Sequence, residues 1–206
     1  MIDKKTYEYY GDIYGTLEAL KNRGVESIEK LKKFLTDKYD IDPIEHYKCR
    51  IKSVDSLTGK LERKKLATDI DSALININDI VGFRVVCTFL GEIFKIVDEI
   101  KNNDNIEVLQ DKDYINRPKA NGYRSYHLIL KYKDGVASQI PFELQLRTIS
   151  MDSWASLEHK LKYKHDVKNE TLIVNELKRC ADEMASTDLS MQTIHDLIKK
   201  SWIIIK

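Results

Sequence analysis

The chain has 206 residues, and its 34 basic and 33 acidic side chains leave a formal net charge of +1 at pH 7. This balance excludes the uniformly basic surface with which proteins hold long nucleic acids, and the length fits one domain with helical extensions. Basic residues concentrate at 48–65 and 112–133. Such local charge favours small anionic ligands over a long polyanion.

The N-terminus and the cysteines predict a cytoplasmic protein. The first residues, Met-Ile-Asp-Lys-Lys-Thr-Tyr, contain no apolar signal core. No apolar run reaches the ~20 residues that a membrane span needs, so no membrane contact is expected. Cys49, Cys87 and Cys180 are widely spaced and include no Cys-x-x-Cys pair. This spacing gives little support to a disulfide framework or a zinc site.

Apolar spacing predicts helices at both ends of the chain. Residues 4–38 repeat apolar side chains with a helical period, with a break near Gly24. Beyond the middle of the chain the same period predicts helices at 148–164 and 171–200. Within the former, Trp154 is expected to face the core.

Between these helices the pattern becomes that of a sheet. Residues 82–89 are rich in β-branched and aromatic side chains, which is typical of a buried strand. Ser53 can cap a helix, because its hydroxyl can accept from free backbone N–H groups. The other predicted elements are strands at 46–52, 106–111, 124–132 and 140–146 and helices at 53–66 and 92–102. The order predicts one α+β domain, residues 1–206, with a mixed, mostly antiparallel sheet flanked by helices.

Residues 113–127 combine cationic side chains with tyrosines in one short stretch. Lys119 and Arg124 offer positive charge to phosphate oxygens. Tyr123 offers a flat face on which a base can stack. Asn121 carries both a donor and an acceptor for a base or sugar edge. The stretch is typical of a site for a phosphorylated nucleotide, although a basic loop entering an amphipathic strand would also explain it.

Two acids stand at informative places. Asp79 directly precedes the strand predicted at 82–89, and Glu143 shares one strand face with Gln145 and Arg147 by the period of two. Such a polar face fits the floor of a cleft. There one carboxylate could hold Mg²⁺ on nucleotide phosphates, and the other could take a proton from a hydroxyl. Taken singly, each acid is also explained as a helix cap or a surface residue.

Four motifs follow one another along the chain. They are Arg50-Ile-Lys52-Ser53 with Lys60; Asp79-x-x-Gly82-x-Arg84; Lys119-x-Asn121-Gly122-Tyr123-Arg124-Ser125-x-His127; and Glu143-x-Gln145-x-Arg147-Thr148, followed by Trp154-Ala155 and Glu158-His159. As an ordered set they resemble the synthetase domain of the RelA/SpoT family, specifically the small alarmone synthetases. The resemblance covers a catalytic core at about 45–165, with helical arms at 4–38 and 171–200, and implies a nucleotidyltransferase-like fold.

The resemblance implies transfer of the β,γ-pyrophosphoryl group of ATP to the 3′-hydroxyl of GMP, GDP or GTP. AMP leaves, and the product is a (p)ppGpp-type alarmone of the stringent response. The implied ATP-binding residues are Arg50 and Arg84 around the adenine, Lys52 and Lys60 on the phosphates, and Ser53. Asp79 and Glu143 would share Mg²⁺, with Glu143 also acting as the base. Tyr123 would stack on the guanine. The rest of the acceptor pocket would comprise Lys119, Asn121, Arg124, His127, Gln145 and Arg147.

One departure from the family pattern bears on regulation. Members activated by their own product carry Phe-x-Thr-Gly-Arg, whereas this chain has His46-Tyr-Lys-Cys-Arg50. Product activation is therefore not expected, although a homotetramer built through the helical arms is. The hydrolase and ribosome-sensing domains of longer members find no room here, so direct ribosome binding is not implied and RNA binding is not indicated. The dipeptide His195-Asp196 is expected to be a solvated pair.

Two other functions stay open at the level of sequence. A related pyrophosphokinase toxin could act on adenine nucleotides or on the 3′ end of tRNA, because stacking on Tyr123 does not encode the base. A non-catalytic nucleotide- or RNA-binding module could use the same fold. The presence of both Asp79 and Glu143 argues against the latter, since a binder needs no base beside its metal carboxylate.

Overall fold

The computed structural model describes residues 4–40, 42–162 and 170–205. Its elements are α1 (Lys4–Tyr10), α2 (Ile13–Tyr39), β1 (Ile44–Ile51), α3 (Val54–Arg63), α4 (Ile70–Asn76), β2 (Val81–Cys87), α5 (Leu90–Lys101), β3 (Ile106–Asp113), β4 (Tyr126–Tyr132), β5 (Phe142–Thr148), α6 (Ile149–Lys162) and α7 (Glu170–Ile205). The ends of the predicted helix at 148–164, of the predicted core at 45–165 and of the predicted domain at 1–206 lie outside the described residues.

The strands form one five-stranded sheet in the order β1-β2-β5-β4-β3. Strands β2 and β5 pair in parallel, and the other three pairs are antiparallel. The prediction of a mixed, mostly antiparallel sheet flanked by helices is therefore confirmed. The register sets Lys48, Arg84, Gln145 and His127 in one row across four strands. Residues directly opposite one another share a sheet face, so this row makes one face of the sheet polar.

The other face of the sheet packs under α2 and α5. Phe83 and Val85 of β2 are fully buried there, as are Leu17 and Leu20 of α2 and Ile96 of α5. Each such side chain contributes about 1.5–3 kcal/mol to folding through the surface that it removes from water. The apolar face thus fixes the sheet, and the polar face is left for a site.

The predicted break near Gly24 is wrong, because α2 runs unbroken from Ile13 to Tyr39. Gly24 is instead a point of close contact with the sheet: a Cβ atom there would lie 2.1 Å from Cζ of Phe83. The helical pattern is interrupted earlier, at Gly11, whose φ of +51° suits glycine. Helix α4 was not predicted, and Asp69 caps it by accepting from the backbone N–H of Ser72 at 2.8 Å.

Helices α6 and α7 pack together beside the sheet. Trp154 of α6 is buried, as expected, and its Nε1 donates to the carbonyl of Leu177 at 2.9 Å. Trp154, Leu177 and Ala181 form a second small core, against which Tyr123 packs. Within the described part of the chain, no helix has the length and apolar content to cross a membrane.

The histidine of the His195-Asp196 dipeptide is not simply solvated. Its ring stacks on Phe89 with the centroids 4.1 Å apart and the planes 19° apart. Phe89 is the residue before α5, so this stack attaches the C-terminal half of α7 to the N-terminus of α5. The three cysteines are free thiols, and Cys87 is buried in the core.

Candidate functional site

The polar face of the sheet opens into a cleft of about 280 Å³. Its lining includes Arg50 of β1, Asp79, Arg84 of β2, and Glu143 and Gln145 of β5. Residues from three of the four motifs therefore meet at one place. The period of two along each strand explains this, because every second side chain of β2 and β5 turns away from the core.

Asp79 lines this cleft and lies between two lysines. Its Oδ2 accepts from Nζ of Lys52 at 2.6 Å, and its Oδ1 accepts from Nζ of Lys60 at 2.7 Å. Burial alone would raise the pKa of Asp79, but the two hydrogen bonds and charges outweigh it, so the pKa lies below its usual value. The carboxylate is therefore ionised at neutral pH and fixed in direction.

Two local features fix the lysines. The backbone of Lys52 is held from both sides, since its N–H donates to Ile80 at 2.7 Å and its carbonyl accepts from the hydroxyl of Tyr10 at 2.5 Å. Ser53 caps α3, the helix that carries Lys60, by accepting from the N–H of Ser56 at 3.4 Å. The predicted cap is thus confirmed, and it fixes the start of the helix that carries Lys60.

Glu143 is held by two neighbours on the sheet. Nδ1 of His127 lies 3.1 Å from its Oε1, and Nε2 of Gln145 donates to its Oε2 at 2.8 Å. Burial alone would raise the pKa of Glu143, but the hydrogen bond and charge of His127 and the amide of Gln145 lower it further than burial raises it. Glu143 is therefore also an ionised carboxylate of fixed direction.

The hydroxyl of Tyr123 joins this arrangement. It lies 2.8 Å from Nε2 of His127 and accepts from Nη2 of Arg147 at 2.9 Å. A continuous hydrogen-bonded chain therefore runs from Glu143 through His127 and Tyr123 to Arg147. The hydroxyl, for which the sequence suggested no role, thus has two polar partners, and stacking of the ring on a base stays a prediction.

Arg84 and Arg147 meet on one carboxylate, that of Asp152. Its Oδ1 accepts from Nη1 of Arg84 at 3.1 Å and from Nη1 of Arg147 at 2.8 Å. Burial and the charge of Arg147 lower the pKa of Arg84, yet a guanidinium stays protonated at neutral pH. Asp152 thus holds two like charges together and, through Arg147, links Arg84 in the cleft to the hydroxyl of Tyr123.

Arg50 stands across the strand pair from Arg84. The register places Arg50 opposite Gly82 and Lys48 opposite Arg84, so the two arginines are diagonal neighbours on one sheet face. Diagonal neighbours are within reach of each other for side chains of this length. The pair can clasp a flat group such as a base. Cys49, by contrast, lies opposite Phe83 and packs against the core.

The loop between β3 and β4 carries the remaining candidates. Nζ of Lys119 lies 4.8 Å from the ring centroids of both Tyr114 and Tyr123. Asn121 donates to Oε1 of Glu158 on α6 at 3.2 Å. Arg124 does not join the Tyr123 chain; its Nη2 donates to Asp182 on α7 at 2.8 Å.

Two residues of the site were not singled out from the sequence. Asp152 bridges the two arginines, and its position in the first turn of α6, just after Arg147-Thr148, could have indicated it. Tyr114 shares the Lys119 ammonium and lies edge-on to His127 with the centroids 5.2 Å apart. Its signal was an aromatic residue inside the cation-rich stretch that had already been singled out.

Comparison with known proteins agrees with the motifs. The family model described as "Region found in RelA / SpoT proteins" matches residues 49–168. GTP pyrophosphokinase YwaC of Bacillus subtilis (strain 168) is 40% identical over 144 residues, which are 68% of this chain and 69% of that protein. GTP pyrophosphokinase YjbM of the same organism is 30% identical over 165 residues, which are 79% of this chain and 77% of that protein.

The fold agrees as well. The crystal structure of small alarmone synthetase 1 from Bacillus subtilis, bound to its product pppGpp, matches with a TM-score of 0.77 and 27% identity. The match covers 96% of this chain and 100% of that one. The chain therefore belongs to the RelA/SpoT family, and its fold is that of the small alarmone synthetases.

Proposed function

We propose that this protein transfers the β,γ-pyrophosphoryl group of ATP to the 3′-hydroxyl of a guanine nucleotide and so makes (p)ppGpp-type alarmones. The observation that carries the proposal is the placement of Asp79 and Glu143 on one cleft. Basic side chains stand on the Asp79 side, and a tyrosine linked by hydrogen bonds stands on the Glu143 side. The family's curated relatives are GTP pyrophosphokinases by name, which supports the same reaction.

On the ATP side, the residues supply a base clasp and charge neutralisation. Arg50 and Arg84 would enclose the adenine, because a guanidinium plane stacks well on an aromatic ring. Lys52 and Lys60 would turn from Asp79 to the phosphate oxygens, which carry more negative charge. Transfer of phosphoryl groups depends mainly on such positioning and neutralisation.

On the acceptor side, Tyr123 would stack on the guanine, while Asn121 and Glu158 would meet its polar edge. Glu143 would accept the proton of the 3′-hydroxyl as the oxygen attacks the β-phosphorus of ATP. The new bond joins O3′ to the β-phosphorus, the bond from that phosphorus to the bridging oxygen of the α-phosphate breaks, and AMP leaves with the bond's electrons. His127 and Gln145 keep the accepting carboxylate directed at the cleft.

Two ionised carboxylates on one cleft also fit Mg²⁺. This ion takes one or two carboxylates and completes its shell with phosphate oxygens and water. That preference matches the site, because Asp79 and Glu143 line one cleft. Asp79 and Glu143 would hold the ion, which when bound would neutralise phosphate charge.

We further propose that residues 1–206 act as one synthetase unit without a hydrolase activity, and that the unit assembles as a homo-oligomer. Product activation is not part of the proposal. Lys48 and Cys49 replace the small residues of product-activated members, and Lys48 is exposed on β1. Adding the tetra- or pentaphosphate product at the start of an assay should therefore leave the initial rate unchanged.

The test is incubation of the protein with ATP, Mg²⁺ and each of GMP, GDP and GTP, followed by identification of products by chromatography and mass spectrometry. The expected products are AMP and a guanine nucleotide with a 3′-diphosphate. Release of free pyrophosphate with AMP attached to the acceptor would identify a nucleotidyltransferase and contradict the proposal. Parallel reactions with adenine nucleotides and tRNA as acceptors separate it from the toxin-like alternative.

A further inference from the structure

The loop that carries Tyr123 is attached to α7 by an ion pair. Nη2 of Arg124 donates to Oδ1 of Asp182 at 2.8 Å, and the side chain of Arg124 is only 15% exposed. Nη1 of the same guanidinium donates to the carbonyl of Gly122 at 3.1 Å. One side chain therefore braces the loop internally and ties it to the helix.

A close backbone contact lies beside this ion pair. Gly122 has a φ of +88°, and a Cβ atom at this position would lie 2.7 Å from Cβ of Ala181 and 3.0 Å from Cα of Lys178. Both the conformation and the space require glycine. The loop closes on itself here, because the N–H of Gly122 donates to the carbonyl of Lys119 at 2.8 Å. The loop thus rests directly on one turn of α7.

These two contacts flank Tyr123 in sequence. Gly122 before it and Arg124 after it both touch α7, so the backbone of Tyr123 is held from either side. The Tyr123 ring also packs near Trp154, with the centroids 6.4 Å apart. A shift of the loop on α7 would therefore move the ring and hydroxyl that reach His127 and Arg147.

We propose that Arg124 and Asp182 are a positioning pair, which holds the Tyr123 loop on α7 and so sets the affinity for the acceptor nucleotide. The inference rests on the proposed function and deepens it, since Asp182 touches no part of the cleft. Arg124 then acts through the loop and not as a phosphate ligand. Loss of the pair should weaken acceptor binding and leave ATP binding nearly unchanged.

The opposite assignment makes the opposite prediction. If Arg124 were a ligand of the acceptor phosphates, Asp182 would only compete for it. Asp182→Ala would then free the guanidinium and lower the KM for the acceptor or leave it the same. As a positioning pair, Asp182→Ala and Arg124→Ala should instead behave alike, and exchange of the two charges should restore function.

The experiment compares Arg124→Ala, Asp182→Ala and the exchanged double variant Arg124→Asp with Asp182→Arg. Each single variant should raise the KM for the acceptor about fivefold or more, as for other directly contacting pairs, while the KM for ATP stays within about twofold. Nζ of Lys178 also donates to Oδ2 of Asp182 at 2.8 Å, so the exchange is made with Lys178→Gln in the background of every variant to avoid repulsion at position 182. In that background the exchanged pair should recover most of the loss. Glu183→Ala is the matched control, since Glu183 is the next residue on α7 and pairs with Arg179 on the solvent side.

Hydrogen exchange of the loop amides gives a readout that does not need activity. Both single variants should exchange faster at residues 119–124 than the wild type, with melting temperatures close to it, and the exchanged pair should be protected again. If the wild type makes no pyrophosphorylated product, the proposed function fails while exchange still tests the pair. Unchanged exchange in Asp182→Ala, or an exchanged pair no better than Arg124→Ala, would overturn the inference.

Discussion

Nδ1 of His127 lies 3.1 Å from Oε1 of Glu143, and the two residues are diagonal neighbours on adjacent strands, β4 and β5. The other ring nitrogen of His127 lies 2.8 Å from the hydroxyl of Tyr123. The imidazole therefore orients the carboxylate that we assign as the base, and it connects this base to the stacking residue. A base held in one direction loses less entropy when it meets the attacking hydroxyl.

Replacing His127 with Phe should move the pH dependence of turnover. His127 lowers the pKa of Glu143 through its hydrogen bond and charge, so its removal raises that pKa. The carboxylate is the active form, and the acidic limb of the kcat profile should therefore shift to higher pH. Turnover at neutral pH should fall about tenfold or more, as when a general base is misplaced.

The measurement is kcat between pH 5 and pH 9 with both substrates saturating. The control is His46→Gln, which changes an exposed histidine at the far end of β1. An acidic limb that stays in place in His127→Phe would mean that His127 does not govern the ionisation of Glu143 during turnover.

The two acids can be tested by isosteric amides. Asp79→Asn leaves Lys52 and Lys60 without their carboxylate partner, and Glu143→Gln removes the proton acceptor. Each should lower kcat about 10²-fold or more, because a lost base or metal carboxylate acts on the reacting groups directly. Asp55→Asn is the control, since Asp55 is an exposed acid on α3. Near-normal turnover with an unchanged melting temperature would refute the role of the acid concerned.

The sequence predicted the sheet well because its signals are local. The β-branched run at 82–89 became β2, and the period of two correctly set Glu143, Gln145 and Arg147 on one face, where Arg147 donates to Gln145 at 3.1 Å. Their roles in the reaction stay predictions. Each of these inferences needed only neighbours within one strand.

What the sequence could not provide were pairings across the fold. Arg124 meets Asp182, 58 positions away, and nothing local distinguishes that acid from the others on α7. Asp152 bridges Arg84 and Arg147 only because α6 begins where β5 ends next to β2. Gly24 was predicted to break the helix because glycine has a low helix propensity. Its contact with Phe83 joins residues far apart in the sequence, so no local pattern indicates it.

The hydroxyl and the ring of Tyr123 can be separated by two variants. Tyr123→Ala removes both and should raise the KM for the guanine nucleotide. The expected loss of binding free energy is about 1–3 kcal/mol, the range for one base on one aromatic ring. Tyr123→Phe keeps the ring but leaves Arg147 and His127 without their shared oxygen. It should lower kcat about tenfold or more with a small change in KM, since a lost hydrogen bond to a charged group costs about 1.5–3 kcal/mol.

Steady-state kinetics with each substrate varied in turn measures this difference. Tyr47→Phe is the control, because its hydroxyl donates to Glu29 outside the cleft at 2.6 Å. A Tyr123→Phe enzyme with wild-type kcat would show that only the ring matters, and equal rises in both KM values for Tyr123→Ala would indicate a structural residue.

His195 should make the attachment of α7 sensitive to pH. Burial beside Phe89, and then the charge of Lys199, lower its pKa below the usual 6.5; Asp196 opposes this shift and Lys95 adds to it. The unfolded chain therefore binds a proton at His195 more readily than the folded protein, so stability falls as the pH drops below about 6.5. Above that pH His195 is neutral in both the folded and the unfolded state, so its titration no longer lowers the stability.

Urea midpoints at pH 7.5, 6.5 and 5.5 measure the effect. His195→Gln loses the ring stack and should be less stable than the wild type at pH 7.5, but the difference should narrow towards pH 5.5. His46→Gln, at an exposed site, should keep the wild-type slope. A constant difference between His195→Gln and the wild type over this range would contradict the assignment.

The last prediction concerns assembly. Apolar side chains of α7 face solvent in one stripe, in which Met191, Ile194 and Ile198 are each about half exposed. A helix keeps such a stripe dry by packing on another element, and in a homo-oligomer that element is a second copy of the chain. Sedimentation velocity at micromolar concentration should therefore show an oligomer, with a tetramer expected. Changing both Ile194 and Ile198 to Lys should lower its mass, whereas Ser190→Lys, at an exposed polar position of the same helix, should not. A monomeric wild type would exclude this use of α7, and an oligomer unaffected by the double change would place the interface on another surface.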